Sequence, residues 1–127
     1  MEVIHGAFTS DRDKILHFSR KLGFLTGEEN KDMLNAHYLG VMAVGEPFRF
    51  NGDLYDFGNQ TITKNIYEVV PTMSKNRLTP PPKEIYSLHR KIIGSYLMCI
   101  KLLSKVPARQ LFEETYQNWK LITEPPI

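Results

Sequence analysis

Thr79-Pro80-Pro81-Pro82-Lys83-Glu84-Ile85-Tyr86-Ser87-Leu88-His89-Arg90-Lys91, continued by Ile92-Ile93-Gly94-Ser95-Tyr96-Leu97-Met98-Cys99-Ile100-Lys101, is the stretch that decides the fold. Proline is tolerated in the first turn of a helix but not in its interior, and the next proline after this run is Pro107. Thr79 is placed to cap, and Glu84 complements the positive end of the helix dipole. These signals predict a helix over about residues 82–104. At about 100° per residue, Ile85, Leu88, Ile92, Tyr96, Cys99, Ile100 and Leu103 fall on one side. Lys83, Lys91, Lys101 and Lys105 gather within roughly a quarter-turn on the other. The segment reads as an amphipathic helix with a basic face.

The same reasoning extends in both directions. Downstream, Pro107 opens a last helix whose buried stripe is Leu111, Phe112, Tyr116 and Trp119. Upstream, Ile62, Ile66, Val69, Val70 and Met73 recur at helical spacing from a start near Asn59 or Thr61, and Pro71 is expected to kink or end that helix. Before it, a helix is predicted over about residues 28–44. Met33, Leu34, His37, Tyr38, Val41 and Met42 face inward, Gly40 weakens it slightly, and Pro47 forbids its continuation. Ser10 with Asp13 resembles a capping box. Ile15, Leu16, Phe18 and Leu22 then trace a short helix at about residues 11–21, stopped by Gly23. The flexible pieces are expected at 49–56, at the Pro80 to Pro82 run and in the tail from Thr123 to Ile127. No strand alternation interrupts the series, so the architecture is all-α, with residues 1–127 forming a single helical segment.

Composition sets the bounds. The 127 residues are 42% hydrophobic and 24% charged, close to globular averages, which excludes a disordered tail. Sixteen Lys and Arg stand against fourteen Asp and Glu, and a net charge of +2 is too weak an average field to imply nucleic acid or membrane as partner. The charge is uneven, however: six cations face nine acids in residues 1–60, giving −3, and ten face five in residues 61–127, giving +5. Cys99 is the lone cysteine, which removes the disulfide-rich class and reads as a small core residue. The longest nearly apolar run, Ile92 to Ile100, is far short of the about 20 residues that span a bilayer. Met1-Glu2-Val3-Ile4-His5 has the pattern of neither a signal nor a transit peptide, so no targeting address is expected in these residues.

Several short motifs invite chemistry. Asp56-Phe57-Gly58 matches the magnesium-binding triplet of protein kinases, but residues 1–55 hold no catalytic loop, and a turn with Gly58 at positive φ is the expected reading. His89-Arg90-Lys91 resembles the start of a kinase catalytic loop, yet a cationic Lys91 stands where the base belongs, and Tyr96 where the metal-binding Asn belongs. His89 lies toward the apolar side, which favours a hydrogen-bonded core histidine, and Arg90 at its border is placed to pair with a carboxylate of another helix. The histidines at 5, 17, 37 and 89 show no ligand spacing. Asp11 and Asp13 begin like a calcium loop, but Leu16 and Leu22 occupy its glycine and acidic positions, so they read as first-turn acids. No glycine-rich phosphate cradle occurs. Asn59-Gln60-Thr61 fits a glycosylation pattern and is read as a helix cap. The lysine face of residues 82–104 reads as a solvated surface rather than one for lipid or nucleic acid.

Beyond spacing, a longer likeness emerges at Phe24-Leu25-Thr26-Gly27, Gly45-Glu46-Pro47-Phe48, Tyr55-Asp56-Phe57-Gly58 with Gln60, and Pro80 through Lys91. It starts as early as Asp11-Arg12-Asp13 and continues through Gly94-Ser95 and Leu111 to Trp119. The chain resembles the carboxy-terminal part of the UbiB or aarF-domain atypical kinases, especially their mitochondrial coenzyme Q branch. That resemblance implies the late helices of the larger lobe of a two-lobed kinase-like fold. It also implies a protein that uses ATP with a divalent metal to support ubiquinone synthesis on the matrix side of the inner mitochondrial membrane.

The family's nucleotide loop, ATP-orienting Lys, catalytic Asp and Asn and metal-binding DFG all belong upstream of the matched segment, and Asp56-Phe57-Gly58 matches a later, second DFG-like string. No catalytic, cofactor-binding or metal-ligating residue is therefore assigned, and no enzyme activity is expected of these residues alone. Two functions follow. One is a structural C-lobe portion whose partners are the rest of the kinase-like domain or coenzyme Q biosynthesis proteins. The other is a free-standing helical interaction module for a partner protein or an anionic membrane surface. A stripe that the rest of a lobe would cover is then exposed, and self-association is expected.

Overall fold

Residues 1–125 are described by the structure, a computed structural model. The architecture is all-α: α1 (Glu2–Phe8), α2 (Arg12–Lys21), α3 (Lys31–Val44), α4 (Glu46–Arg49), α5 (Ile62–Asn76), α6 (Lys83–Lys101) and α7 (Ala108–Thr123). One two-residue antiparallel pairing, β1 (Tyr55–Asp56) with β2 (Lys105–Val106), sets Tyr55 opposite Val106, and a 3₁₀ turn at Phe57–Asn59 follows β1. The sequence carries no alternation that would announce so short a ladder.

Seven residues are too few to hold a helix by propensity, so α1 exists through what it packs on. Its small residues permit a close approach. A Cβ on Gly6 would stand 2.8 Å from Ile15 Cγ1 of α2, and one on Gly45 would stand 2.6 Å from Ala7 Cβ. Val3, Ala7 and Ile15 form a buried cluster, with Phe18, Tyr38, Val41 and Met42 packed around it.

Helix α2 is capped by Asp11, which accepts from the Lys14 N–H at 3.1 Å, and not by Ser10. Ser10 instead takes φ +56° to make the turn out of α1, and Gly23 at φ +85° ends α2 as expected. Helix α3 starts three residues later than the periodicity suggests, because the Asn30 side chain caps it and Glu29 folds back onto the Thr26 and Gly27 amides. Pro47 does more than stop α3: it sits in the first turn of α4, after the chain turns at Gly45.

Of the two outcomes expected at Pro71, a kink or an end, the end does not occur, since α5 continues to Asn76. Proline leaves the carbonyl four residues earlier without its helical donor, and that residue is Tyr67, which is 76% exposed. Thr79 does not cap α6: Pro82 occupies the cap without a side-chain bond, and the Thr79 hydroxyl donates to the Pro80 carbonyl. The 49–56 segment is partly ordered, with Arg49 closing α4 and Tyr55 and Asp56 in the ladder. In the tail, Thr123 ends α7, while residues 126–127 lie outside the described residues.

A second cluster, Tyr55, Phe57, Ile62 and Ala108, lies where β1, the 3₁₀ turn, α5 and α7 meet. Tyr96, Ile100 and a half-buried Cys99 of α6 pack against it. Leu111, expected inside, is exposed, whereas Phe112 is buried.

Candidate docking surface

Helix α6 has nineteen residues and not one is fully buried. It is held mainly at its two ends and by one hydrogen bond. The His89 ring lies flat on Phe24 with centroids 5.4 Å apart, the Tyr96 hydroxyl donates to the Val44 carbonyl at 2.6 Å, and the Phe57 N–H donates to the Ser104 carbonyl at 2.9 Å. Leu103, at φ +53°, makes the turn that brings β2 back to β1.

Ile85, Ile92, Tyr96, Cys99 and Ile100 face the protein as the helical wheel requires, but Leu88 and Leu103 do not and are exposed. Lys83, Lys91, Lys101 and Lys105 stand in solvent, and so does Arg90. Among the described residues none of these five joins a salt bridge, so the expected Arg90–carboxylate pair is absent. Tyr86, Ile93 and Leu97, each about half exposed, line one flank of the cations; Leu88 and Leu102 lie on the other. A helix apolar on both flanks of a polar ridge is the pattern of an element meant to be covered.

Asp56 is hydrogen-bonded within its own turn. One carboxylate oxygen accepts from the Gly58 N–H at 2.9 Å and the other from the Asn59 side-chain amide at 2.8 Å. Gly58 is not at positive φ, contrary to expectation; the positive-φ glycines are Gly23 and Gly27. Of the triplet Asn59-Gln60-Thr61, Asn59 sits inside the 3₁₀ turn, while Thr61 holds the cap position of α5 without a side-chain cap bond. Among the described residues no group of three or more His, Cys, Asp or Glu side chains could hold a metal.

The histidines are dispersed. His5 stacks on Tyr116 at 3.9 Å with Lys14 Nζ 2.6 Å from its Nδ1, and burial followed by the Lys14 charge lowers its pKa. His17 is exposed. His89 is stacked rather than hydrogen-bonded, and burial with Arg77 nearby lowers its pKa. The hydrogen-bonded core histidine is His37: its Nε2 lies 2.8 Å from the Ser19 hydroxyl, and burial first, then Arg77, pushes its pKa down to about 4. Ser19 is 0% exposed, so this Ser–His pair is closed to any substrate.

Two further polar anchors had no sequence signature, because their partners come from distant elements. Glu46 accepts from the Tyr55 hydroxyl, the Thr61 hydroxyl and the Thr61 N–H, closing the loop between α4 and α5. Glu2 accepts from the Tyr116 hydroxyl at 2.7 Å and pairs with Lys14 and Lys120, tying α1 to α7. No helix among the described residues is long and apolar enough to cross a membrane.

No family model matches the chain. Curated relatives do. It is 44% identical over 94% of its length to an atypical kinase COQ8B, mitochondrial, of Danio rerio, of which it covers 19%. It is 44% identical over 94% to an atypical kinase coq-8, mitochondrial, of Caenorhabditis elegans, covering 16% of it. It is 41% identical over 84% to an atypical kinase COQ8, mitochondrial, of Saccharomyces cerevisiae, covering 21% of that protein. The chain thus spans about a fifth of the length of the curated relatives it matches. At this level of identity, across nearly all of these residues, the chain corresponds to a carboxy-terminal part of proteins of the COQ8 atypical-kinase type.

Proposed function

We propose that these 127 residues serve as the helical carboxy-terminal portion of an ATP-dependent atypical kinase or ATPase that supports ubiquinone synthesis, and that their role is structural. The observation that carries the reading is the 41–44% identity to proteins named atypical kinases, across nearly the whole of this chain. Phosphoryl transfer is mostly positioning and electrostatic stabilisation. The Asp56 carboxylate takes hydrogen bonds from its own turn, and on this reading the groups that grip ATP and metal belong to other parts of the longer polypeptide. By the same reading the protein resides in mitochondria, on the matrix side of the inner membrane. The cations and apolar flanks of α6 also favour a second reading, a free-standing helical module that binds a partner protein or an anionic membrane.

A graft tests the first reading. The segment of the yeast relative that matches this chain is replaced by these residues, and ubiquinone is measured in cells lacking the native gene. The graft is expected to keep ubiquinone synthesis, while deletion of the segment abolishes it. Equal loss in both would count against the reading.

A further inference from the structure

Asn51-Gly52 is the one place in the sequence where glycine follows asparagine. Such a pair is reactive, because glycine has no Cβ to shield its amide nitrogen from the side-chain carbonyl of the residue before it. Whether the reaction runs depends on how the backbone is held. Residues 51–54 lie between α4 and β1, in neither helix nor strand, and all four are exposed. Among the described residues neither the Asn51 side chain nor the Gly52 N–H makes a hydrogen bond. The other asparagines are held. Asn35, Asn65, Asn76 and Asn118 lie in helices, Asn30 accepts from the Met33 N–H, and Asn59 donates to Asp56. Gly52 also has a packing role: a Cβ there would stand 2.5 Å from Phe50 Cε1, and the Phe50 ring is set edge-on to Tyr55 at 5.6 Å. The packing that seats Phe50 therefore favours a glycine here, and with it the reactive pair.

We infer that Asn51 is a site of spontaneous covalent modification, at which its side-chain amide is exchanged for a carboxylate. The Gly52 nitrogen, having lost its proton to solvent base, bonds to Asn51 Cγ, and ammonia leaves as a cyclic imide closes. Water then opens the imide at one of its two carbonyls. One water is consumed, one ammonia is released, and nothing is oxidised or reduced. Opening at the backbone carbonyl gives isoaspartate, in which the main chain runs on through Cγ; opening at Cγ gives aspartate. Either product lowers the net charge of +2 by one. The new carboxylate joins an open cleft of about 540 Å³ that is shared by Asp53 of the same loop and by Arg109 and Glu113 of α7. Arg109 is the cation there, 3.9 Å from Glu113 and donating to the Arg49 carbonyl at 3.3 Å. The modification thus adds an anion beside the brace between α4 and α7, and isoaspartate adds a methylene to the main chain directly after Phe50.

The purified 127-residue chain is aged in mildly alkaline buffer, both folded and in denaturant. Conversion is followed by peptide mass mapping and by an isoaspartate-specific methyltransferase with labelled S-adenosylmethionine. In the folded chain Asn51 alone is expected to convert, within about fivefold of its rate in the unfolded chain, since a loop without protective bonds opens at almost no cost. The rate should rise with pH, because the nitrogen attacks only after losing its proton. Asn51→Gln, whose longer side chain closes the ring far more slowly, should stay unmodified, with unchanged circular dichroism at this exposed position. Protection of the folded chain beyond that margin would overturn the proposal, and so would conversion of another asparagine as fast as Asn51. Aspartate formed without isoaspartate would also overturn it, since direct hydrolysis, not the imide, gives that result.

Discussion

Phe112→Ala is expected to destabilise the chain by about 3–5 kcal/mol, the cost of emptying a buried aromatic site. The ring is 7% exposed and touches rings from three helices: Phe48 of α4 at 5.0 Å, Phe8 of α1 at 5.3 Å and Tyr116 of its own α7 at 6.0 Å. Aromatic pairs of this kind add about 0.5–1.5 kcal/mol beyond their buried area. Arg109 lies over Phe8 and donates to the Arg49 carbonyl, so it braces the same junction and limits how far the site can collapse. The adjacent Leu111→Ala, at an exposed position, should change stability by no more than about 0.5 kcal/mol. Guanidinium titration followed by far-UV circular dichroism separates the two. A Phe112 loss near that of Leu111 would mean that α7 does not dock on α1 and α4 in this way.

That contrast also marks how far the sequence could be read. The wheel places Leu111 and Phe112 in one stripe, since neighbours 100° apart both fall within a broad apolar face. Only the directions of α1 and α4 decide which one is covered. Helices α2, α3, α5, α6 and α7 were legible because each carries helical periodicity between recognisable stops. Helix α1 was not located, since Gly6 and Ala7 signal close packing rather than helix, and packing is a property of the partner helix. Whether Pro71 would kink α5 or end it was not legible, because the cost of proline inside a helix depends on the surroundings of the freed carbonyl. At the candidate surface the lysines were legible as an exposed face. The Tyr86–Ile93–Leu97 flank was not, because apolar residues on two sides of one helix give no hint of which side the same chain covers.

Lowering the pH should remove about 3 kcal/mol of stability through His37 alone. Burial first, and then the Arg77 charge, holds its pKa down to about 4, against 6.5 when exposed; Glu29 opposes these, and a positive His89 would add to them. Between those values the unfolded chain binds the proton and the folded chain does not. The contribution is therefore whole above about pH 6.5 and drains away as the pH falls toward 4. His5 and His89, whose pKa values are also lowered, act in the same direction. His37→Gln keeps a polar partner for Ser19 but cannot titrate, so its stability should fall less steeply between pH 7 and 4, by about one proton in slope. Chemical denaturation at a series of pH values reads this directly. Parallel profiles for the two proteins would contradict a neutral, buried His37.

The scaffold reading meets its plainest test in calorimetric titration of the purified chain with ATP and Mg²⁺ to millimolar concentration. With Asp56 bonded to its own turn, heats no larger than dilution are expected. A saturable isotherm, lost on Asp56→Asn, would place a triphosphate site within these helices and contradict the account.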